Sequence, residues 1–290
     1  MKKYIEFKKQ RELGDILTDT FGFIRNEFKP FLRTILQLSG PYLLLFLVAL
    51  VFYIYTVGRE FSMDLNNLFP FDNILSFSLA YIFYIIGAVL AYTFATSTAL
   101  HYIKSYVKNS GQVHFDEVKN DVNRTFWPFL GLSLLKGLTL VFSILICCLP
   151  VFYTMVPMTI VLSIFVFKEL KAMDAFSESF SLIKEEFWIT LATVIVFAII
   201  VGVIGSIFSI PTAIYTWMKM GVFSGEIDPA NMKSLIDPIY VILNILSSFF
   251  QYALNLIMVI GAAFIYFNLN ERKNFTGTFE RIQSIGKTDD

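Results

Sequence analysis

The chain has little of what chemistry usually needs. It carries only two cysteines, Cys147 and Cys148, and they are adjacent. That leaves neither a framework of bridges nor a metal-type spacing, so both read as small apolar packing residues. The two histidines, His101 and His114, form no metal-binding pair and read as solvated groups in or beside a loop. The long apolar stretches contain no Asp or Glu, and their one histidine, His101, stands at the very end of the second, beside the loop that follows. Proton- or cation-coupled transport normally places such groups near the midplane of a membrane, and hydrolysis needs a base, so both activities lose support. Phosphate-cradling glycine loops and nucleophile elbows are missing as well, and the spans hold no Gly-x-x-x-Gly packing motif. The sequence predicts no catalytic residue, no cofactor, no metal and no nucleic-acid partner.

Apolar surface is abundant. Hydrophobic residues make up 56% of the chain, aromatics 17%, and mean hydropathy is +0.64, too apolar for a soluble domain. Six stretches are long enough to cross a hydrocarbon layer of roughly 30 Å at about 1.5 Å per residue. They run at 35–57, 74–103, 127–148, 151–167, 188–210 and within 239–267, with the fifth stopped or kinked at Pro211. The first begins too far in, and is too long, to resemble a cleaved leader, so no segment is expected to be removed. Between the spans lie a short loop at 58–72, a polar loop at 104–122 with a turn at Asn109-Ser110-Gly111, and a longer loop at 215–237 with room for a short interfacial helix.

Charge sets the expected orientation. Of the 23 Lys and Arg residues, all but Arg59, Lys136, Lys219 and Lys233 fall on the side that carries both termini. By the positive-inside rule both ends are cytoplasmic, and an even number of spans agrees. The expected localisation is a bacterial inner membrane.

One stretch is written twice. DILTDTFGFIRNEFKPFL at 15–32 matches DAFSESFSLIKEEFWITL at 174–191, so that Asp15 meets Asp174, Phe21 meets Phe180 and Glu27-Phe28 meets Glu186-Phe187. A weaker copy, Asn123–Leu130, matches only the closing Phe-Trp-Pro-Phe-Leu. At 100° per residue the first copy gathers Ile16, Leu17, Phe21, Phe23, Ile24 and Phe28 on one arc. Asp15 is the expected N-cap, and Pro30 is expected to kink or break the helix. The pattern predicts an all-α integral membrane protein of six transmembrane helices in three hairpins, each preceded by an amphipathic helix on the cytoplasmic surface. The units would be 12–103, 113–168 and 171–270 of a single membrane domain, followed by a polar cytoplasmic tail, 271–290. All three copies enter from one face, which makes them parallel repeats.

Six polar residues stand out. Glu27 and Glu186 project within the apolar arc, where a carboxylate either bends to the head-group layer or anchors the helix to the bundle through a hydrogen-bonded or ionic contact. Thr125 holds that position in the weak copy. Lys136 is the one charge inside a span, where the other copies have Leu38 and Phe197; it either snorkels or faces a cavity. Asn244, Gln251 and Asn255 share one stripe of the last span, suited to helix–helix hydrogen bonds or to a polar pathway.

The elbow motif, the closing Tyr266-Phe267-Asn268-Leu269-Asn270-Glu271-Arg272-Lys273 and the tail at 277–286 resemble uncharacterised six-span bacterial proteins related to the membrane domain found beside glycerophosphoryl diester phosphodiesterases. The resemblance implies a membrane-embedded accessory role and supplies no catalytic residue. The phosphodiesterase barrel is missing, so that activity is not expected. The expected function is a non-enzymatic scaffold or accessory subunit of an envelope assembly, with membrane lipids and a membrane-protein partner or a second copy as partners. The alternative is a transporter or exporter of an amphipathic, lipid-like molecule.

Overall fold

A computed structural model describes residues 4–60, 71–146, 148–221 and 236–285. Among them the secondary structure is entirely helical: α1 (Leu13–Glu60), α2 (Phe71–Lys108), α3 (Phe115–Ile146), α4 (Cys148–Lys168), α5 (Ala172–Ile183), α6 (Phe187–Lys219), α7 (Pro238–Asn274) and α8 (Thr276–Ile285). Six of these, all but α5 and α8, are long and apolar enough to cross a membrane, as expected of a multi-pass membrane protein. Cys147, most of the 58–72 loop, and residues 222–235, where the sequence leaves room for a short interfacial helix, lie outside the described residues.

The helices overrun the expected spans. α1 has 48 residues and is therefore about 72 Å long, more than twice the hydrocarbon thickness. The expected break at Pro30 is absent; α1 continues through it, α3 continues through Pro128, and α6 continues through Pro211 to Lys219. Packing on both sides of Pro30 explains the first case. Phe23 and Phe31 both meet Tyr102 edge-on, at 6.4 and 5.1 Å between ring centroids, and hold the axis despite the backbone bond that proline removes. The copy without a proline is the one that breaks: α5 ends at Ile183, Glu186 N–H donates to the Ile183 carbonyl at 2.9 Å, and α6 begins at Phe187. Glu185 and Glu186 then stand immediately before the N-terminus of α6, where the macrodipole favours acidic groups. Asp15 is not an N-cap either. It lies in the first turn of α1, and its Oδ2 accepts the Glu12 N–H at 3.3 Å, as the third residue of a capping box does.

The described chain forms two compact units, Met1–Leu38 with Thr93–Ile200 and Leu256–Asp290, and Ser39–Tyr92 with Val201–Asn255. In the first, nearly every residue is buried along 93–106 of α2, 156–166 of α4 and 259–271 of α7. Small side chains explain part of this: Ala95 to Ala99 contains nothing larger than threonine, and a Cβ on Gly261 would stand 2.8 Å from the Phe197 ring. α3 and α4 pack antiparallel, with Thr154 hydroxyl donating to Ser143 at 3.0 Å near their junction and Phe129 meeting Phe165 at the other end.

In the second unit, α1 and α2 meet through Tyr53 stacked on Tyr84 at 5.1 Å, and a Cβ on Gly87 would lie 3.2 Å from the Phe46 backbone. α6 and α7 meet through Phe208 stacked on Phe250 at 3.9 Å. Leu50, Ile54 and Val241 form the buried cluster there. Leu44, Val48, Ile82, Ile207, Ile242 and their neighbours remain exposed, the surface a helix presents to lipid.

Candidate functional site

Polar side chains concentrate at one end of the first unit, where the N-terminal arm and the tail close over the helix ends. Phe7 stacks on Phe264 at 4.1 Å and meets Phe23 edge-on at 5.4 Å. Beside it Arg11, 3% exposed, donates Nε to Asp19 Oδ2 at 2.8 Å and its Nη atoms to the carbonyls of Phe7, Lys9 and Glu6. The Arg11 guanidinium also covers the Phe264 ring at 4.9 Å. The Arg11 backbone N–H donates to Asn268 Oδ1 at 2.7 Å. One buried arginine therefore fixes the fold of its own arm and docks that arm on α7.

The tail is held by a carboxylate. Glu271 accepts hydrogen bonds from Gly277 N–H at 2.7 Å and from Thr278 N–H and hydroxyl at 2.8 and 2.7 Å. These close the α7–α8 turn, in which Phe275 takes a φ of 51°. Gly277 then passes so near the arm that an added Cβ would stand 2.5 Å from the Lys8 carbonyl oxygen. Only glycine fits that approach.

The three equivalent positions of the repeated stretch all face other helices. Glu27, 5% exposed, accepts the Tyr102 hydroxyl at 2.9 Å. Thr125 hydroxyl lies 3.3 Å from His101 Nε2. Glu186 pairs with Arg272 at 3.0 Å. The first two partners are adjacent residues of α2 and the third lies near the end of α7. His101 is thus not the solvated group expected from the sequence; it is 2% exposed, and its Nδ1 lies 2.8 Å from the Ser97 carbonyl, which fixes the proton on that nitrogen. It lies on α2 near the end of the expected span, in a stretch buried among other helices and not in a loop. His114 is exposed.

The remaining polar candidates are scattered. Lys136 is half-buried on α3. Asn244 donates to the Tyr240 carbonyl of its own helix at 2.9 Å, Gln251 crosses to the Gly205 carbonyl at 3.3 Å, and Asn255 is half-buried.

Cavities open on the first unit. One of about 620 Å³ lies beneath the arm, between Tyr4, Lys9, Asp19 and Arg25. A smaller one of about 340 Å³ is lined by Tyr153, Phe180 and Phe187. Another, of about 510 Å³, lies between α2, α3 and the α4–α5 turn. At its edge Lys104 bridges Asp121 at 3.2 Å and Glu169 at 2.6 Å. The hydrogen bond from Lys104 holds the Glu169 carboxyl below its ordinary range. Lys136, Asn244, Gln251 and Asn255 line none of these three. No group of three or more His, Cys, Asp or Glu able to hold a metal ion occurs among the described residues. No protein-family model, curated protein or solved structure matches the chain.

Arg11, Tyr102, His101 and Glu271 carry this end of the molecule, and sequence reasoning singled out none of them for that role. Tyr102 left a trace in the sequence, since a carboxylate turned into an apolar arc at Glu27 needs a donor somewhere.

Proposed function

We propose that the protein is a non-enzymatic scaffold or accessory subunit of a membrane assembly, with the charged end of the first unit as its docking face. The observation that carries this reading is the filled interior of that end. Phe7, Phe23, Phe31, Tyr102, Tyr106 and Phe264 interlock there, and the arm and tail are tied over them. A solute pathway through this end would have to unlock Arg11 and Glu271, whereas a docking face gains from being rigid.

The charge asymmetry supports a cytoplasmic position for this end under the positive-inside rule. Trp127 and Trp188, 76% and 77% exposed, stand at matching positions just after the repeated phenylalanine, as residues at a membrane–water boundary do. On this reading the six spans form three hairpins that enter from the same face, the amphipathic 15–29 and 174–187 segments border the head-group layer, and the membrane is a bacterial inner membrane. The likeness to the membrane domain beside glycerophosphoryl diester phosphodiesterases agrees with an accessory role.

A second reading, a carrier of an amphipathic molecule, draws support from the 510 Å³ cavity, whose lining mixes charged, polar and apolar residues. Purification of the full chain from its native membrane separates the two. A stoichiometric protein partner is expected, and its loss on charge reversal at Lys29 and Arg33 would map the face. Recovery of the chain with bound lipid and no protein partner would overturn the scaffold reading.

A further inference from the structure

We propose that the cavity between α2, α3 and the α4–α5 turn binds the phosphate head group of an anionic glycerophospholipid. The proposal deepens the docking-face reading and rests on its placement of this end at the membrane surface.

The cavity has a mixed lining. Pro128, Phe165 and Val166 are apolar, His101 and Thr125 are polar, and Lys104, Arg124, Lys171 and Glu169 are charged. The acidic groups decide which cations serve an anion. Lys104 is held between Asp121 and Glu169, so its charge is already balanced. Arg124 gives Nη2 to Asp121 at 3.0 Å, and a guanidinium carries further N–H donors in a planar fork suited to phosphate. Lys171 is exposed at the rim. It also precedes α5 in extended conformation, with no side-chain cap, so the first N–H groups of that helix add to the positive field on this side.

Depth selects the source of the phosphate. Pro128 follows the exposed Trp127, which sets this level at the lipid–water boundary. A lipid can then place its phosphate at Arg124 and Lys171 and run its glycerol and first methylenes along Phe165 and Val166. Free phosphate would leave those two side chains unused. A volume of about 510 Å³ accommodates a head group and not a whole lipid, so the acyl chains would remain in the bilayer.

The test uses the purified full chain in neutral detergent, with thermal unfolding followed during titration with dioctanoyl phosphatidylglycerol, dioctanoyl phosphatidylcholine or sodium phosphate. The anionic lipid is expected to bind at least tenfold tighter than either of the others. Arg124→Glu with Lys171→Glu should weaken that binding at least tenfold, while Lys9→Glu with Arg25→Glu, beside the cavity under the arm, should leave it within twofold. Arg124→Gln with Lys171→Gln gives the same readout should the charge reversals impair folding. Equal affinity for phosphatidylcholine, equal affinity for inorganic phosphate, or indifference to both Arg124/Lys171 pairs would overturn the proposal. Because no second protein is present, this result stands apart from the search for a partner, and either can fail alone.

Discussion

In the first unit the buried hydroxyl of Tyr102 meets a carboxylate, Glu27, from 75 residues away at 2.9 Å, whereas in the second unit the hydroxyl of Tyr252 meets uncharged partners, the Ala91 carbonyl at 3.4 Å and the Ser39 side chain. The contrast extends beyond these two tyrosines. The first unit fastens its helix ends with Arg11, Glu27, Glu186 and Glu271, each bonded to another segment of chain. In the second, aromatic stacks and close backbone approaches do most of the joining, and the one ion pair among its described residues is Lys219–Asp237. The difference follows from the surroundings expected of each. Helices inside lipid gain nothing from hiding apolar surface from one another, so shape must hold them. Helix ends near water can use charge, and there the arm and tail supply it.

The largest test of this contrast is Arg11→Ala. It removes a buried guanidinium and leaves Asp19 and three carbonyls without their donor, so the first unit should lose about 3 kcal/mol. Thermal unfolding in detergent reads the total. Hydrogen exchange should locate the loss in 4–12 and 262–274 and leave 80–90 protected as before. Faster exchange across both units alike would mean that the division is not an energetic one.

A sharper comparison sets Glu27→Ala against Gln251→Ala. Removing Glu27 leaves a buried tyrosine hydroxyl without its carboxylate, expected to cost about 1–3 kcal/mol. Gln251 is exposed and donates one long bond to Gly205, so its truncation should change stability by less than about 0.5 kcal/mol. Equal effects on the unfolding midpoint would contradict the assignment of the stronger polar ties to the first unit.

Glu186→Ala should cost less than Glu27→Ala although the two residues occupy equivalent positions. Its partner Arg272 and Glu186 itself are both partly exposed, and such pairs contribute at most about 1 kcal/mol. Double-mutant cycles with Arg272→Ala and with Tyr102→Phe would rank the two contacts, and a larger coupling for Glu186 would reverse the expected order.

Acid should have the smallest effect. Because Lys104 lowers the folded pKa of Glu169, this contact contributes fully above the unfolded carboxyl value of about 4.3 and is lost as pH falls through the lower folded value. The Glu169 side chain is 66% exposed, so only a slight fall in the unfolding midpoint is expected, absent in Glu169→Gln. An unchanged acid limb in that variant would assign the sensitivity to other carboxylates.

Much of the fold was legible in the residues. Six apolar stretches and the turn at Asn109–Gly111 have counterparts in the structure. The elbows were less legible. Pro30 and Pro128 carry the strongest local signal for a break, yet their helices continue, while the segment Lys184-Glu185-Glu186 interrupts the third copy without a proline. A proline's cost is local, and packing at Phe23, Phe31 and Tyr102 outweighs it; no periodicity in the sequence records that packing. His101 differs from its expected setting for a similar reason. Its nearness to the 104–122 loop suggests solvent, but this part of α2 is packed among other helices and buries it.

By itself the sequence determined that this chain crosses a membrane several times as helices, because a run of roughly 20 apolar residues in lipid must satisfy its backbone polar groups within the segment. It also determined where charge would gather, since ionised side chains resist the hydrocarbon. Which side chains meet was decided only in the tertiary structure. Arg11 finds Asn268 across 257 residues and Lys104 finds Glu169 across 65, and such pairings depend on how helices lie side by side, a distance that residue order does not encode.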